Sequence, residues 1–465
     1  MTSLGDRYLR VLCILLLGYA LMGKGFAYIG IAPLYVGELT MVWGVVVLFC
    51  SENWSRVLRT AWFWPLFALM IWGAIRTVPF LATYGTDALH DAAMWIWGTF
   101  AVVLASLLAA EPRRLAFLEK KFRTFAVLVL ILAPISYCIS IFADAYLPNA
   151  PWADVPFVLV KGGDLVVHLC GIFAFFVLLG GPQMGFVVPM MIVHLVLYFT
   201  GRASMVTFGS CSAIATALRP QSALPWRLFP ALVIGVTLLW VFNIQIQTTI
   251  HDPGRIVSAE QIIDNVQSIF SDSDNENLDG SREWRLLWWN TIADYTLHGN
   301  YFWKGKGFGI NLADDDGFQV EADHSLRNPH NGHLTMLARG GVPMLVLWVV
   351  CQSTLGYGLI GSAWSARRRG DRRWFGLLAF LFIYWLAFLI NASFDVFLEG
   401  PVGGIWFWCV YGTGIGAVWI YRNCPQALRE APIAGAEELA AERMAGGGQA
   451  LHVQRKTRAL ELCAS

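Results

Sequence analysis

The chain has 465 residues, 57% of them hydrophobic and only 14% charged, with 21 Trp and 30 Phe. Soluble domains carry about 25% charged residues, so a soluble enzyme is excluded. The net charge of +1 hides a segregation of opposite charges along the chain, and no basic face for a nucleic acid is left over.

Apolar runs of about 17 to 25 residues, enough to cross a bilayer, recur throughout. The fold class read from them is an all-α polytopic membrane protein with about 12 transmembrane helices and one large periplasmic loop. In chain order the spans are expected near residues 8–23, 31–50, 60–78, 92–110, 124–144, 165–181, 184–200, 203–218, 228–248, 333–358, 374–393 and 401–421. The first follows Arg7 and Arg10 as a signal peptide would. No small-residue cleavage site comes after it, so it is read as a retained helix.

The loops support an even count. "SENWSRVLR", "EPRRLAFLEKKFR", "LRPQSALPWR" and "WSARRRGDRR" are basic, whereas "ATYGTDALHD", "FADAYLPNAPWADVP" and "NASFDVFLEG" carry Asp and Glu without Lys or Arg. Basic loops stay in the cytoplasm, which places both termini there. The expected organisation is an N-terminal bundle of about nine spans over 1–248, a periplasmic loop over 249–332, three further helices over 333–421 and a cytoplasmic tail over 422–465. None of the nine Cys lies in the large loop, which excludes a disulfide framework there.

That loop is acidic, 14 Asp and Glu against 6 Lys and Arg, and it is rich in His. Within it "SREWRLLWWNTIADYTLHG" places Trp284, Trp288, Ile292 and Tyr295 on one helical stripe. Trp and Tyr favour the membrane–water interface, so an amphipathic helix lying on the outer surface is predicted, flanked by Arg282 and Arg285. The next stretch, "YFWKGKGFGINL", is Gly-rich but lacks the GxxxxGK[ST] pattern of a phosphate loop.

Three groups of polar residues are costly where hydropathy places them. Arg202 lies in a tight outside connection, either snorkelling or binding. "VKGGDLVVHLCG" puts Asp164 and His168 four apart on one helix face, read first as an ion pair. "RNPHNGHLTMLARGGVPML" gathers Arg327, His330, Asn331, His333 and Arg339 at the mouth of a span, where the helix start attracts anions. Pro343 implies a kink or a late helix start there. Asp395 and Glu399, in an outside turn, carry the least information.

Metal motifs fail. "HNGH" is not HExxH, "DSDNENLDG" has Asn277 where a calcium loop needs Gly, and "ADDDG" reads as a solvated turn. No cofactor and no metal are expected. Arginines with a histidine at a helix start make a metal-free anion site suited to a lipid-linked diphosphate, since Arg binds phosphate oxygens bidentately. The chemistry that fits is glycosyl transfer, with positive charge stabilising the leaving diphosphate and His330 taking the acceptor's proton.

"PHNGHLTMLARGGVP" resembles the His-Asn, nine residues, Gly signature of the O-antigen ligase and O-antigen polymerase superfamily, here His330, Asn331 and Gly341. Met344 stands where that family often has a small or hydroxyl residue. "WRLLWW" followed by "GKGFG" is similar to its outside helix with an essential Arg, a role placed on Arg285 with Arg282 as the fallback, and Arg202 matches its membrane-embedded Arg. The resemblance implies a bacterial inner-membrane glycosyltransferase acting at the periplasmic face. Its donor is a glycan on undecaprenyl diphosphate and its acceptor lipid A–core or another glycan. Arg202, Arg285 and His330 are the implied catalytic residues. Arg282, Arg327, Asn331, His333, Asp164, His168 and Arg339 are further candidates for substrate binding. A polymerase of lipid-linked repeats is the alternative within that class, and a transporter of polyprenyl-linked sugars the alternative outside it.

Overall fold

Backbone groups in hydrocarbon must be satisfied within their own segment, and the molecule is accordingly helical, with two short strand pairs among the described residues. The computed structural model describes residues 3–50, 54–61, 63–151, 153–199, 201–243, 245–247, 256–258, 260, 262–263 and 276–429. His251, much of the loop before Glu276 and the tail beyond residue 429 lie outside them.

Each expected span has a helix. They are α1 (Leu4–Met22), α2 (Val36–Cys50), α3 (Trp64–Thr77), α4 with α5 (Thr86–Ile96 and Gly98–Ala110), α6 (Arg114–Phe142), α7 (Gly162–Leu179), α8 (Met184–Tyr198), α9 (Arg202–Leu218) and α10 (Ala223–Val241). After the loop helix α11 (Glu276–Ala293) and the short α12 (Leu312–Asp316) come α13 (Gly332–Arg368), α14 (Arg372–Ala392) and α15 (Pro401–Asn423). Eight segments among the described residues are long and apolar enough to cross a membrane, while α2 and α8 are apolar but shorter.

The core forms where small residues let helices approach. A Cβ on Gly412 of α15 would stand 2.5 Å from the Ala101 carbonyl of α5, so only glycine permits that contact. α7 and α15 are buried almost throughout, and α7 packs on α9 and α14. α3 and α10 are peripheral and expose Trp64, Val233 and Trp240, as lipid-facing helices do.

α13 runs ten residues past its expected end at 358. Hydropathy fades at "GSAWSARRR", but hydrogen bonding continues until Gly370, whose φ of 71° ends the helix. Gly341, with φ 73° and ψ −174°, breaks α13 ahead of Pro343, so the expected kink is present. Its freed carbonyls are taken up by neighbours. Lys306 N donates to Ala338 O at 2.7 Å and Gly307 N to Arg339 O at 2.9 Å, while Trp72 Nε1 donates to Gly340 O at 2.9 Å. Val342 N donates back to Phe302 O at 2.8 Å. The Gly-rich stretch is therefore a strap that closes this kink.

The Trp stripe of α11 differs from expectation. Trp288 and Ile292 are fully buried with Leu312, Ala313, Leu337 and Ala338, and Trp288 stacks on Phe318 at 5.4 Å. The stripe meets protein rather than headgroups because α12 and the first turns of α13 supply an apolar floor. Leu286 and Leu287 form the exposed face instead.

Candidate functional site

The site forms where α11, the start of α13 and the α14–α15 turn meet. Asn331 caps α13, its Oδ1 accepting from His333 N and Leu334 N, both at 3.1 Å. His330, just before the cap, has φ 53°, a left-handed conformation uncommon for a residue with a side chain. Such outliers cluster at functional sites. The turn sets His330 Nδ1 3.5 Å from Asp395 Oδ1, with the Trp284 ring edge-on at 6.3 Å. The imidazole keeps 28% of its side chain exposed.

α11 is pinned to both other elements. Trp289 Nε1 donates to Pro329 O at 2.8 Å, and Arg285 Nη1 donates to Phe394 O at 3.0 Å. Arg285 and His330 thus converge on consecutive residues, 394 and 395. Arg282 is exposed three residues earlier on the same helix. Arg202 opens α9 at the same end of the bundle, where Ser204 Oγ lies 3.9 Å from a Cβ built on Gly163.

Asp395 sets the local field. Burial pushes its carboxyl up, but the hydrogen bond and charge of His330 and the charge of Lys161 outweigh that and hold it below the usual carboxylate range. Val396 N also donates to Asp395 Oδ1 at 2.8 Å. Asp164 lies within the electrostatic reach of Lys161 and Asp395. Glu399 behaves oppositely. It is 4% exposed, and burial pushes its carboxyl up to about 7 against the weaker pull of Thr335 and Arg339. Sequence reading gave Asp395 and Glu399 little weight, although an acidic turn free of Lys and Arg was the available signal.

The remaining candidates are held in structural contacts. His333 Nδ1 accepts from Trp348 Nε1 at 2.9 Å, and its Nε2 reaches Leu389 O and Ser393 Oγ, each at 3.2 Å, so both ring nitrogens are engaged. His168 Nδ1 bonds Tyr384 Oη at 2.7 Å, and among the described residues it makes no ion pair with Asp164. Arg339 is 1% exposed and bonds Asp91 Oδ2 at 2.8 Å and Asn328 Oδ1 at 2.9 Å. Arg327 bonds the same Asp91 oxygen at 3.1 Å and Asp87 at 3.3 Å. Asp91, which the sequence did not single out, therefore serves two arginines.

The loop's acidic turn is also internally used. Lys306 bridges Asp315 and Asp316 and lies 4.3 Å from the Tyr295 ring centroid, while Trp288 Nε1 donates to Asp316 at 2.7 Å. Among the described residues no group of three His, Cys, Asp or Glu is placed to hold a metal ion.

Comparison with curated proteins gives no match. The family model described as O-Antigen ligase matches residues 186–349, the stretch that holds Arg202, Arg285 and His330. Over residues 186–349 the chain is therefore similar to the O-antigen ligase family.

Proposed function

We propose that this protein transfers a glycan from undecaprenyl diphosphate to an acceptor at the periplasmic face of the bacterial inner membrane, most closely as an O-antigen ligase-type enzyme. In this reading the twelve spans expected from the sequence, with both ends at the face of the basic loops, would leave α11 and the start of α13 on the periplasmic side. The observation that carries the reading is the convergence of Arg285 and His330 on the 394–395 turn between α14 and α15, beside the start of α13.

Arg285, with Arg202 across the same end of the bundle, supplies positive charge for the departing diphosphate, the electrostatic form of catalysis. Asp395 lies against His330 Nδ1, which leaves Nε2 as the ring nitrogen that accepts the acceptor hydroxyl's proton. Asp395 is thus a positioning residue that fixes the orientation of the His330 ring. Arg327 and Arg339 act at a distance, by fixing the strap and the His330 loop through Asp91. A polyprenyl tail would lie in the bilayer beside the peripheral helices.

Purified protein is supplied with undecaprenyl-diphosphate glycan and an acceptor, in EDTA, and release of undecaprenyl diphosphate is followed. Acceptor-dependent release by wild type, lost in His330→Ala, Arg285→Ala and Arg202→Ala, supports transfer, and the acceptor that works distinguishes ligase from polymerase. Movement of the intact lipid between leaflets, with no release under any acceptor, refutes the enzyme reading.

A further inference from the structure

A second feature lies at the opposite face from His330. A cavity of about 400 Å³ runs between α1, α6, α14 and α15. That size falls within the range of about 300–1,000 Å³ typical of ligand pockets. Its inner end is walled by buried Tyr384 and Trp406, and its outer end by exposed Arg10 and Lys121. Ile14, 69% exposed, lines its side, so it opens toward lipid.

The polar groups inside are already committed. Tyr384 Oη bonds His168 at 2.7 Å, Trp406 Nε1 donates to Leu16 O at 2.8 Å, and Thr413 Oγ1 donates to Cys409 O at 2.8 Å. Apart from the weakly polar thiols of Cys13 and Cys409, the cavity offers water little to bind, so hydrocarbon is the occupant it suits. At the rim the one carboxylate, Glu119, is neutralised by Arg373 at 3.0 Å. Arg10 and Lys121 make no ion pair among the described residues, and Lys121 only overlies the Phe117 ring at 5.6 Å.

We propose that this cleft binds an anionic glycerophospholipid, one acyl chain inside it and the phosphate held by Arg10 and Lys121. The basic loops 111–123 and 364–373 lie at the same face, where cytoplasmic-leaflet phospholipids are negatively charged and basic recesses between spanning helices take their headgroups. The occupant's leaflet separates it from the glycan donor, which the site at His330 would meet on the other side. A lipid wedged among α1, α6, α14 and α15 would brace the helices whose far ends carry the 394–395 turn.

The test uses the full-length protein in detergent, titrated with phosphatidylglycerol and with phosphatidylcholine of the same acyl chains and read by native mass spectrometry. Phosphatidylglycerol should be retained more tightly. Arg10→Gln and Lys121→Gln should each lower that preference about fivefold, and the double variant should abolish it. Cys13→Trp, which fills the cleft from its lining, should reduce retention of both lipids. Equal retention of the two lipids by wild type overturns the proposal. So does an unchanged preference in the double variant, or displacement of phosphatidylglycerol by undecaprenyl diphosphate. Thermal melting checks that Cys13→Trp is folded. If it is not, the two exposed-charge variants decide alone.

Discussion

Asp91→Asn removes one negative charge at nearly constant volume, and the structure says where the cost falls. Asp91 is 3% exposed, and its Oδ2 meets Arg339 Nη1 at 2.8 Å, Arg327 Nη2 at 3.1 Å and Gly309 N at 2.9 Å. Arg327 keeps Asp87 and 21% of its surface, so its share of the loss is small. Arg339, 1% exposed, keeps only neutral acceptors, Ile310 O at 3.1 Å and Asn328 Oδ1 at 2.9 Å. Stripping one partner from a buried ion pair costs about 3–5 kcal/mol, a large part of the roughly 5–15 kcal/mol that holds a typical fold. Thermal or denaturant unfolding in detergent should show that loss. Adding Arg339→Met should recover most of it, because the uncompensated charge goes too. Unfolding of Asp91→Asn within about 1 kcal/mol of wild type, or no recovery in the double variant, would refute the reasoning.

Glu399 is raised from 4.5 to about 7, so its contribution to stability is fully present below pH 4.5 and is lost as pH rises through 7. The loss amounts to about 3 kcal/mol; melting of Glu399→Gln should lack this slope, and an unchanged slope sinks the assignment. Gly341→Ala places a Cβ 2.6 Å from Phe302 O at φ 73°, so unfolding should show at least about 1–3 kcal/mol lost. A variant as stable as wild type would mean the strap does not close the kink. His330→Ala should lower turnover about 10²–10⁴-fold with melting unchanged. Asp395→Asn should lower it less and displace the pH profile of kcat, and a profile identical to wild type would remove Asp395 from the mechanism.

The helices were legible because hydropathy and loop charge are local properties. Every expected span has a helix, and the break at Gly341 was foreshadowed by Pro343. That outside arginines and His330 make one anion site was legible from residue chemistry, but the choice of Arg285, 45 residues away in the chain, came through motif resemblance. Asp91 was not legible, and Asp395 only as part of an acidic outside turn. Each acts through a partner far away in sequence, Asp91 on Arg339 and Asp395 on His330, and no periodicity records such a pairing. The Trp stripe shows the same limit. Amphipathicity reveals that a face will be buried, but not whether lipid or Phe318 and Leu312 will bury it.

The polar cluster at the mouth of α13 therefore divides by what surrounds each charge. Arg327 and Arg339 are cations with carboxylate partners inside protein, so their charge is spent on holding the loop, and a diphosphate would have to displace Asp91 to use them. His333 has both nitrogens engaged and offers no site for a proton in transit. His330 differs on each count: it is partly open, its backbone is held left-handed, and one nitrogen faces the Asp395 carboxylate at 3.5 Å. A base must reach substrate and stay in place, and His330 meets both needs. If His330 were instead only a phosphate ligand, an adjacent carboxylate would oppose the anion it binds.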